Sequence, residues 1–272
     1  MARVSFLVST LGRNPSHLLE LLQNIEKQSH SDVDAVVVLQ SPDKTTIQAV
    51  EEAVSGIQAP VKLVVSDTIG LSKSRNIALA NAQGDILLLC DDDCSYPPDA
   101  AAHIVEAMAE HPNWDVIEFQ MAEVGTGKLL KRYCSHSYKH NLRSLMHVSS
   151  VEISMRKCIT PGVRLFDERI GLGTPYITGE EIVMLIELYN KGINIGYSPN
   201  VIVSHPKERS GCGASHLPQL VLSKGVAFRR MFGWLGLFPA VAFFVRRLFP
   251  GKALRLKPWH IQQLIKGLLV KL

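Results

Sequence analysis

The strongest constraint in this sequence is a run of five apolar residues that leads directly into three adjacent carboxylates. Ile86–Cys90 is the apolar run, and Asp91, Asp92 and Asp93 follow it. A buried strand of an open α/β sheet ends at the edge where such sheets bind ligands. Carboxylate oxygens are the ligands that Mg²⁺ and Mn²⁺ prefer. The run therefore predicts a strand that presents acids to a binding crevice.

Two interpretations of the three acids are open. In an extended backbone alternate side chains share a side, so Asp91 and Asp93 would reach one ligand while Asp92 points away. The alternative is an exposed acidic turn in which an aspartate caps the following segment. The apolar run before the acids favours the first interpretation, because it indicates delivery from the core of a sheet.

The hydrophobic pattern around this strand alternates between strand and helix. Further strands are predicted at Val4–Val8, Ala35–Leu39, Val61–Val65 and Val116–Met121, with a helix in each interval. This alternation implies an α/β fold with a mostly parallel sheet flanked by helices. A chain of 272 residues with 46% hydrophobic content is long enough to bury such a core.

The second half of the chain is less regular. We expect a strand near Val151–Met155, and a helix that residues 178–181 lead into and that ends at Gly192. Two short strands follow at Ile193–Tyr197 and Val201–Val203, and the second delivers His205. The remaining residues between 122 and 178 mix polar loops with a basic segment and predict no firm elements.

Charge is divided unevenly along the chain. After Glu208 there are eleven Lys and Arg and no Asp or Glu, so residues 1–208 carry a net charge of −7. Residues 231–245 are uncharged, but these 15 residues are shorter than the roughly 20 that span a bilayer. From Ile261 onward apolar residues recur on one helical face. Residues 223–272 therefore predict a basic amphipathic helical tail that binds an anionic membrane surface, and the long aliphatic runs argue against a nucleic-acid partner.

The cysteines and the N-terminus exclude several protein classes. Five cysteines without paired spacing indicate neither a disulfide framework nor a zinc ribbon. Cys134, His136 and His140 have no fourth ligand at regular spacing, so we predict no zinc site there. The first ten residues lack the charge and apolar pattern of a signal peptide. We expect a cytoplasmic protein.

Polar residues follow other strands of the predicted sheet. Thr10 and Arg13 come after the first strand, and Asp67 comes after the third. Arg75 is near the start of the helix that Gly70 opens, where the helix dipole favours an anion. Alternatively, Arg75 forms an ordinary helix salt bridge and Asp67 caps a helix.

This combination resembles the family 2 glycosyltransferases of the GT-A fold. The matching segments are Asp67–Asn76, Gly84–Asp93, Phe166-Asp167-Glu168, Gly171-Leu172-Gly173, Gly179-Glu180-Glu181 and His205. The resemblance covers roughly residues 3–206, and the joint occurrence of these motifs is specific. It implies a Rossmann-like GT-A domain, with residues 1–120 as the nucleotide-sugar half and residues 121–222 as the acceptor and catalytic-base half. Residues 223–272 would form the membrane-associating tail.

The resemblance also implies roles on the donor side. Thr10, Arg13, Asp67 and Arg75 would hold the nucleotide, and Asp91 would contact its ribose or the metal. Asp93 would bind the Mn²⁺ or Mg²⁺ that bridges the diphosphate. In some relatives a histidine at the position of His205 completes the metal site, although a structural histidine is the alternative here. The sequence departs from the family at Leu39-Gln40-Ser41, where relatives often have Asp before Gly or Ser.

Two acids are candidates for the general base that an inverting transfer needs. Glu181 aligns with the family's usual base, and Glu180 is the reserve. The alternative is that both acids only complement a helix dipole, which is worth a few tenths to ~1 kcal/mol each.

The function implied is an inverting glycosyltransferase that moves a sugar from a UDP or dTDP sugar to a lipid-linked or cell-surface glycan. We expect it on the inner face of a bacterial plasma membrane, in polysaccharide biosynthesis, and a homodimer is left open. A sugar nucleotidyltransferase would be expected to have a glycine-rich loop, whereas the loop at Ser9–Arg13 has one glycine. A non-catalytic membrane-associated nucleotide-binding regulator would need the sheet and the tail but not Glu181.

Overall fold

A computed structural model describes residues 1–160, 164–206, 216–248 and 256–271 of the chain. Its strands, in chain order, are β1 (Val4–Thr10), β2 (Val33–Gln40), β3 (Val61–Ser66), β4 (Ile86–Asp91), β5 (Val116–Glu123), β6 (Tyr138–Lys139), β7 (Ile153–Arg156) and β8 (Ile195–His205). Its helices are α1 (Pro15–Glu26), α2 (Lys44–Ser55), α3 (Leu71–Asn81), α4 (Ala100–Glu110), α5 (Leu142–Leu145), α6 (Glu180–Asn190), α7 (Leu217–Phe232), α8 (Leu237–Leu248) and α9 (Ile261–Leu269).

All of these strands belong to one eight-stranded sheet with the order β3-β2-β1-β4-β7-β5-β8-β6. β1 is parallel to β2 and β4, β2 is parallel to β3, and β5 is parallel to β8. β7 is antiparallel to β4 and β5, and β6 is antiparallel to β8. All strands except β6 and β7 therefore point the same way. The predicted mostly parallel α/β sheet flanked by helices is confirmed.

The order of the strands reverses at β1, which has β2 on one side and β4 on the other. In open α/β sheets, ligands bind beyond the carboxyl ends of the strands at such a switch point. β1 ends at Thr10 and β4 ends at Asp91. The topology therefore brings both residues to the edge of the sheet where a ligand is expected.

The central strands are buried along almost their whole length. Every residue of β1 and β2 is buried, as is Ile86–Cys90 of β4. Leu18 and Leu22 of α1 and Ile104 of α4 join Phe6 of β1 in one core cluster. A strand that is covered on both faces has no reason to alternate polar and apolar residues, which explains its continuous apolar sequence.

Two parts of the sheet differ from the prediction. The strand expected at Val151–Met155 starts later, because Ser150–Glu152 forms a 3-10 turn, and it lies antiparallel between β4 and β5 as β7. The two strands expected at Ile193–Tyr197 and Val201–Val203 are one strand, β8. An irregularity in its pairing with β5 accommodates Pro199, which has no N–H to donate.

The chain divides into two compact units. The first unit comprises Met1–Ile69, Lys73–Leu165 and Leu188–Lys207, and the second comprises Gly70–Ser72, Phe166–Glu187 and Glu208–Leu272. The sheet belongs to the first unit, and α7, α8 and α9 belong to the second. The predicted division into residues 1–120, 121–222 and 223–272 concerns functional roles and stays a prediction; its limits lie within β5 and α7.

The helical tail of the second unit is tied together by a close contact between two glycines. A Cβ atom added to Gly267 of α9 would lie 2.9 Å from the Cα of Gly225 in α7 and 2.1 Å from the carbonyl oxygen of Leu222. Such distances are shorter than any Cβ contact allows, so only glycine fits. α7 ends at Phe232, and the next residue, Gly233, has a φ of 58° in the left-handed region that favours glycine.

The packing of α9 against α7 buries only part of the apolar face that the sequence predicts from Ile261 onward. Leu264 and Leu268 are buried in the second unit, whereas Ile261, Ile265 and Leu269 are exposed. α9 therefore packs with one part of its apolar surface and presents the other to solvent. Residues 249–255 and 272 of the predicted tail lie outside the described residues.

One helical segment has the composition of a membrane span. Leu217–Leu248 is 32 residues long, with a mean hydropathy of 1.3 in its most apolar window, and 22% of that window is buried. The positive φ at Gly233 and the 3-10 turn Gly233–Gly236 separate α7 from α8 within it. Length and composition alone are weak evidence for a crossing.

Candidate functional site

A buried arginine lies at the carboxyl ends of β1 and β4. The Arg75 guanidinium donates to Asp91 Oδ1 at 3.1 Å, and the Arg75 side chain is 1% exposed against 30% for Asp91. Ser74 Oγ, one residue earlier in α3, donates to Ser9 Oγ at 2.9 Å. The register of the sheet sets Ser9 beside Asp91. α3 is thus fixed to the ends of both strands, with its positive charge at the switch point.

The three acids do not continue the strand. β4 ends at Asp91, and residues 92 and 93 form a turn in which the Cys94 N–H donates to the Asp91 carbonyl at 3.2 Å. The expectation that Asp91 and Asp93 share a side by strand alternation is therefore wrong, because the backbone is no longer extended after Asp91. Each acid instead has its own partner.

Asp92 is linked to the end of β1. The hydroxyl of Thr10 donates to Asp92 Oδ2 at 2.5 Å, and the Gly12 N–H donates to the same hydroxyl oxygen at 2.9 Å. Burial raises the pKa of the Asp92 carboxyl, and the charges of Asp93 and Asp91 raise it further, while the Thr10 hydrogen bond opposes them. Thr10 and Asp92 thus form a second connection between β1 and the acidic turn.

Asp93 faces His205 from the end of β8. Two backbone hydrogen bonds between Ser95 and Ser204, of 2.9 and 2.7 Å, hold the chain after the acids against β8. As a result, His205 Nε2 lies 3.4 Å from Asp93 Oδ1. His205 Nδ1 is 2.6 Å from the Pro206 carbonyl, which can only accept, so Nδ1 carries a hydrogen. In the neutral imidazole, Nε2 then has a lone pair directed toward Asp93.

Three potential metal ligands converge at this point. The ligand atoms of Asp93, Cys94 and His205 all lie within 4.8 Å of one another. A carboxylate oxygen and an imidazole nitrogen whose other nitrogen is hydrogen-bonded fit a divalent transition-metal ion such as Mn²⁺. Asp91, the other predicted ligand, is outside this group and pairs with Arg75.

The remaining predicted donor-side residues lie near the same strand ends without joining these pairs. Arg13 is exposed after β1, and Asp67 is exposed after β3. Within the described residues, no hydrogen bond or ion pair links either one to the acidic turn. Asp43, after β2, accepts from the Thr46 N–H at 2.7 Å and caps α2. The structure therefore brings together Thr10, Arg75 and the acidic turn but leaves Arg13 and Asp67 apart.

The two candidate bases occupy the first turn of α6 in the second unit. Glu180 is buried, whereas Glu181 is half-buried. The preceding loop is held by a hydrogen bond from Ser72 Oγ to the Ile170 carbonyl, at 2.5 Å. Gly171 has a φ of 117°, and a Cβ there would lie 2.8 Å from Ser72 Oγ and 3.5 Å from the Glu180 carboxyl carbon. Glycine at this position permits the loop to pack closely under the start of α6.

Sequence reasoning missed an ion-pair network in the second unit. Arg230 of α7 is 3.1 Å from Asp167 Oδ2 and 2.6 Å from Glu187 Oε1, and Arg169 is 2.6 Å from Asp167 Oδ2. Burial alone would raise the pKa of Asp167, but hydrogen bonds from Arg169 and Arg230 lower it to about 2. No spacing rule pairs residues 63 positions apart, so no sequence signal pointed to this contact.

Comparison with known families identifies the family to which the chain belongs. The profile described as Glycosyl transferase family 2 matches residues 5–157, more than half of the chain. The chain belongs to glycosyl transferase family 2. The predicted resemblance to this family is confirmed.

Two curated relatives of this family 2 glycosyltransferase carry matching names. An uncharacterized glycosyltransferase of Haemophilus influenzae is 25% identical over 115 residues, which are 42% of this chain and 37% of that protein. An N-acetylglucosaminyltransferase of Azorhizobium caulinodans is 22% identical over 213 residues, which are 74% of this chain and 54% of that protein. The match with this chain thus covers about a third of the length of the first relative and about half of the length of the second.

Solved structures of GT-A glycosyltransferases share the fold. Residues 1–349 of S. aureus TarS in complex with UDP-GlcNAc match with a TM-score of 0.68 and 19% identity, over 98% of this chain and 79% of that one. The mannosyltransferase PcManGT of Pyrobaculum calidifontis, in complex with GDP-Man and Mn²⁺, matches with a TM-score of 0.62 and 15% identity, over 98% and 84% of the two chains. At these identities the likeness establishes the fold alone.

Proposed function

We propose that this protein is an inverting glycosyltransferase that moves a sugar from a nucleoside diphosphate sugar, UDP or dTDP favoured, to a lipid-linked or cell-surface glycan. The observation that carries the proposal is the pairing of Arg75 with Asp91 and of His205 with Asp93 at the carboxyl ends of β1, β4 and β8, in a chain of glycosyl transferase family 2. That arrangement supplies positive charge and metal ligands to a diphosphate.

On the donor side, Thr10, Arg13, Asp67 and Arg75 hold the nucleotide, and Asp91 contacts its ribose. The Arg75 guanidinium supports this role because Asp91 and the packing around it fix its position before any ligand arrives. A charge held in place in this way needs little reorganisation when it meets an anion. The UDP-GlcNAc bound to TarS is consistent with such a donor.

Asp93 and His205 would hold the divalent ion, with Asp91 as the further ligand that the family resemblance implies. When bound, Mn²⁺ or Mg²⁺ supplies positive charge to the leaving nucleoside diphosphate. The hydrogen bond from His205 Nδ1 to Pro206 supports this assignment because it keeps Nε2 available. The imidazole nitrogen favours Mn²⁺ over Mg²⁺, which prefers oxygen ligands.

Glu181 acts as the general base that removes the proton from the acceptor hydroxyl as it attacks the anomeric carbon. The hydroxyl oxygen forms the new glycosidic bond on the face opposite the leaving diphosphate, so the configuration inverts. Glu181 is favoured over Glu180 because its side chain is partly accessible, whereas Glu180 is buried. A base must come within hydrogen-bond reach of its substrate.

The tail keeps the enzyme on the inner face of the plasma membrane, where a lipid-linked acceptor resides. Ten of the seventeen large apolar side chains exposed in the described residues belong to α8, α9 and the turns before them. These are Trp234, Leu235, Leu237, Phe238, Val241, Val245, Trp259, Ile261, Ile265 and Leu269. An exposed apolar surface in a segment whose sequence, residues 223–272, has ten cations and no acid suits an anionic lipid surface.

A donor panel tests this function. UDP, dTDP and GDP sugars are incubated with the protein, with and without Mn²⁺, and nucleoside diphosphate release is measured. We expect release from one nucleotide class, stimulated by Mn²⁺. Binding of a nucleotide without turnover of any donor would contradict the proposal and favour a non-catalytic regulator.

A further inference from the structure

A cavity of about 320 Å³ opens in the second unit beside the end of α7 and the residues that follow α9. Its lining has two arginines, one lysine and no acid. The lining residues are Val226, Arg229, Arg230, Gly233, Val270 and Lys271. Neither the proposed donor site nor the proposed base uses any of them.

Two of the three cations keep their charge available to a ligand. Arg230 is neutralised by Asp167 and Glu187, at 3.1 and 2.6 Å. Arg229 lies over the ring of Trp234, 3.9 Å from its centroid, and a tryptophan face does not cancel a guanidinium charge. Within the described residues, neither Arg229 nor Lys271 forms an ion pair. The cavity therefore retains two positive groups and attracts an anion.

Exposed apolar residues directly follow or precede two of the lining residues in the chain. Gly233, in the lining, is followed by Trp234 and Leu235, which are 70% and 68% exposed. Val270, also in the lining, is preceded by Leu269, which is 61% exposed. Exposed aromatic and aliphatic side chains thus adjoin the lining residues in the chain, and Trp234 also contacts Arg229 of the lining. Tryptophan beside cationic groups is typical of the boundary between lipid headgroups and acyl chains.

We propose that this cavity binds the phosphate group of an anionic phospholipid. Arg229 and Lys271 donate hydrogen bonds to the phosphate oxygens, while Trp234, Leu235 and Leu269 enter the interface around it. The proposal rests on the membrane association in the proposed function and gives it a defined site. A guanidinium donates two parallel hydrogen bonds to two oxygens of one phosphate. Binding at this site is therefore specific contact with one headgroup, in contrast to general attraction to a negatively charged surface.

Vesicle flotation tests the site. The full chain is mixed with vesicles of phosphatidylcholine alone or of an equimolar mixture of phosphatidylcholine and phosphatidylglycerol. Arg229→Gln and Lys271→Gln are compared with Lys266→Gln, which removes an exposed cation of α9 outside the cavity. Loss of a general surface cation lowers affinity about fivefold. Loss of a direct charged hydrogen bond lowers it about tenfold or more.

We expect each cavity variant to lose clearly more affinity for the mixed vesicles than Lys266→Gln, and Arg229→Lys to recover part of the loss. Equal losses in all three glutamine variants would overturn the site and leave only diffuse attraction. If inorganic phosphate, at an ionic strength held constant with chloride, displaces the wild-type chain at concentrations no higher than that of the accessible phosphatidylglycerol, the site takes free anions and the lipid proposal is overturned. Thermal unfolding of each variant shows whether it is folded, and Lys271→Gln, in an exposed position, tests the site even if Arg229→Gln unfolds.

Failure of this proposal is separable from failure of the proposed function. If the wild-type chain does not bind anionic vesicles, both the membrane association and the cavity site are overturned. If it binds while the cavity variants match the control, only the cavity site is overturned. Nucleoside diphosphate release in solution reports the transferase activity independently of either outcome.

Discussion

The carboxyl end of the sheet and the helical tail present their exposed groups in opposite ways. At the sheet end several polar side chains are held by neighbours within the protein: Arg75 pairs with Asp91, and Thr10 donates to Asp92. In the tail, large apolar side chains such as Trp234 and Phe238 lie open to water. The first surface is organised in advance for a small polar ligand. Exposed apolar surface such as the second is typical of a site that contacts a membrane or another protein.

The sheet unit and the helical tail are suited to different tasks. Held charges at the strand ends cost little to reorganise when a nucleotide binds, so the sheet unit is suited to chemistry. The tail, whose exposed residues lie on α8, α9 and the turns before them, is suited to location. Variants in the two regions should therefore separate turnover from membrane binding.

The largest effect is expected at the base. Glu181→Gln removes the group that we propose as the acceptor's general base, so turnover should fall about 10²- to 10⁴-fold while donor binding is unchanged. Initial rates with the acceptor, together with calorimetric donor titration, measure both quantities. Glu180→Gln is the matched comparison and should have a smaller effect. A larger loss in Glu180→Gln would move the base to that residue.

Next in size is the metal ligand. Asp93→Asn should lower Mn²⁺-stimulated nucleoside diphosphate release about 10²- to 10³-fold, because the leaving diphosphate loses its counter-charge. Glu106→Gln, an exposed acid on α4, is the control and should keep full activity. Full Mn²⁺ stimulation in Asp93→Asn would remove the metal role. Vesicle binding should be the same in both variants.

A glycine substitution should disrupt the packing of α9 against α7 and leave the sheet unchanged. Gly267→Ala places a Cβ 2.1 Å from the Leu222 carbonyl, so α9 must shift from α7 at a cost of about 1–3 kcal/mol. Vesicle binding should weaken, and proteolysis within the tail should become faster. Gly56→Ala is the control, because no atom lies within 4 Å of its added Cβ. Equal behaviour of the two variants would show that α9 does not depend on this contact.

The smallest effect concerns acid stability of the second unit. The folded pKa of Asp167 is lowered from 3.8 to about 2, so its ionised form contributes stability that is present above about pH 4 and is lost as the pH falls toward 2. The contribution is at most about 2 kcal/mol. Denaturant unfolding from pH 5 to 2.5 should show a smaller pH dependence in Arg230→Gln than in the wild type. Identical profiles would contradict the role of this ion pair.

The sequence predicted those strands and helices that a local pattern of apolar residues determines. Continuous apolar runs marked β1, β2 and β4 because both faces of these strands are covered, and helical spacing marked α1 and α6. The turn after Asp91 was missed because alternation assumes an extended backbone that nothing local enforces. β7 was misjudged because its position depends on antiparallel pairing with two strands far away in sequence.

The site was predictable in part, through motifs rather than geometry. The resemblance singled out His205 and Asp93, but their approach depends on the bridge between Ser95 and Ser204, which no spacing reveals. The same limit applies to the tail. Apolar spacing showed that α9 is amphipathic, but only the contact between Gly225 and Gly267 explains why part of its apolar surface is buried and part is exposed.

The central claim is that the strand ends around Asp93 and Arg75 bind a nucleoside diphosphate sugar together with a divalent ion. Calorimetric titration of UDP-GlcNAc and dTDP sugars into the wild type and Asp93→Asn, each with and without Mn²⁺, tests it most directly. The account predicts that Mn²⁺ strengthens donor binding to the wild type at least tenfold and has little effect on Asp93→Asn. Equal strengthening in both proteins, or no donor binding to the wild type in any condition, would contradict it.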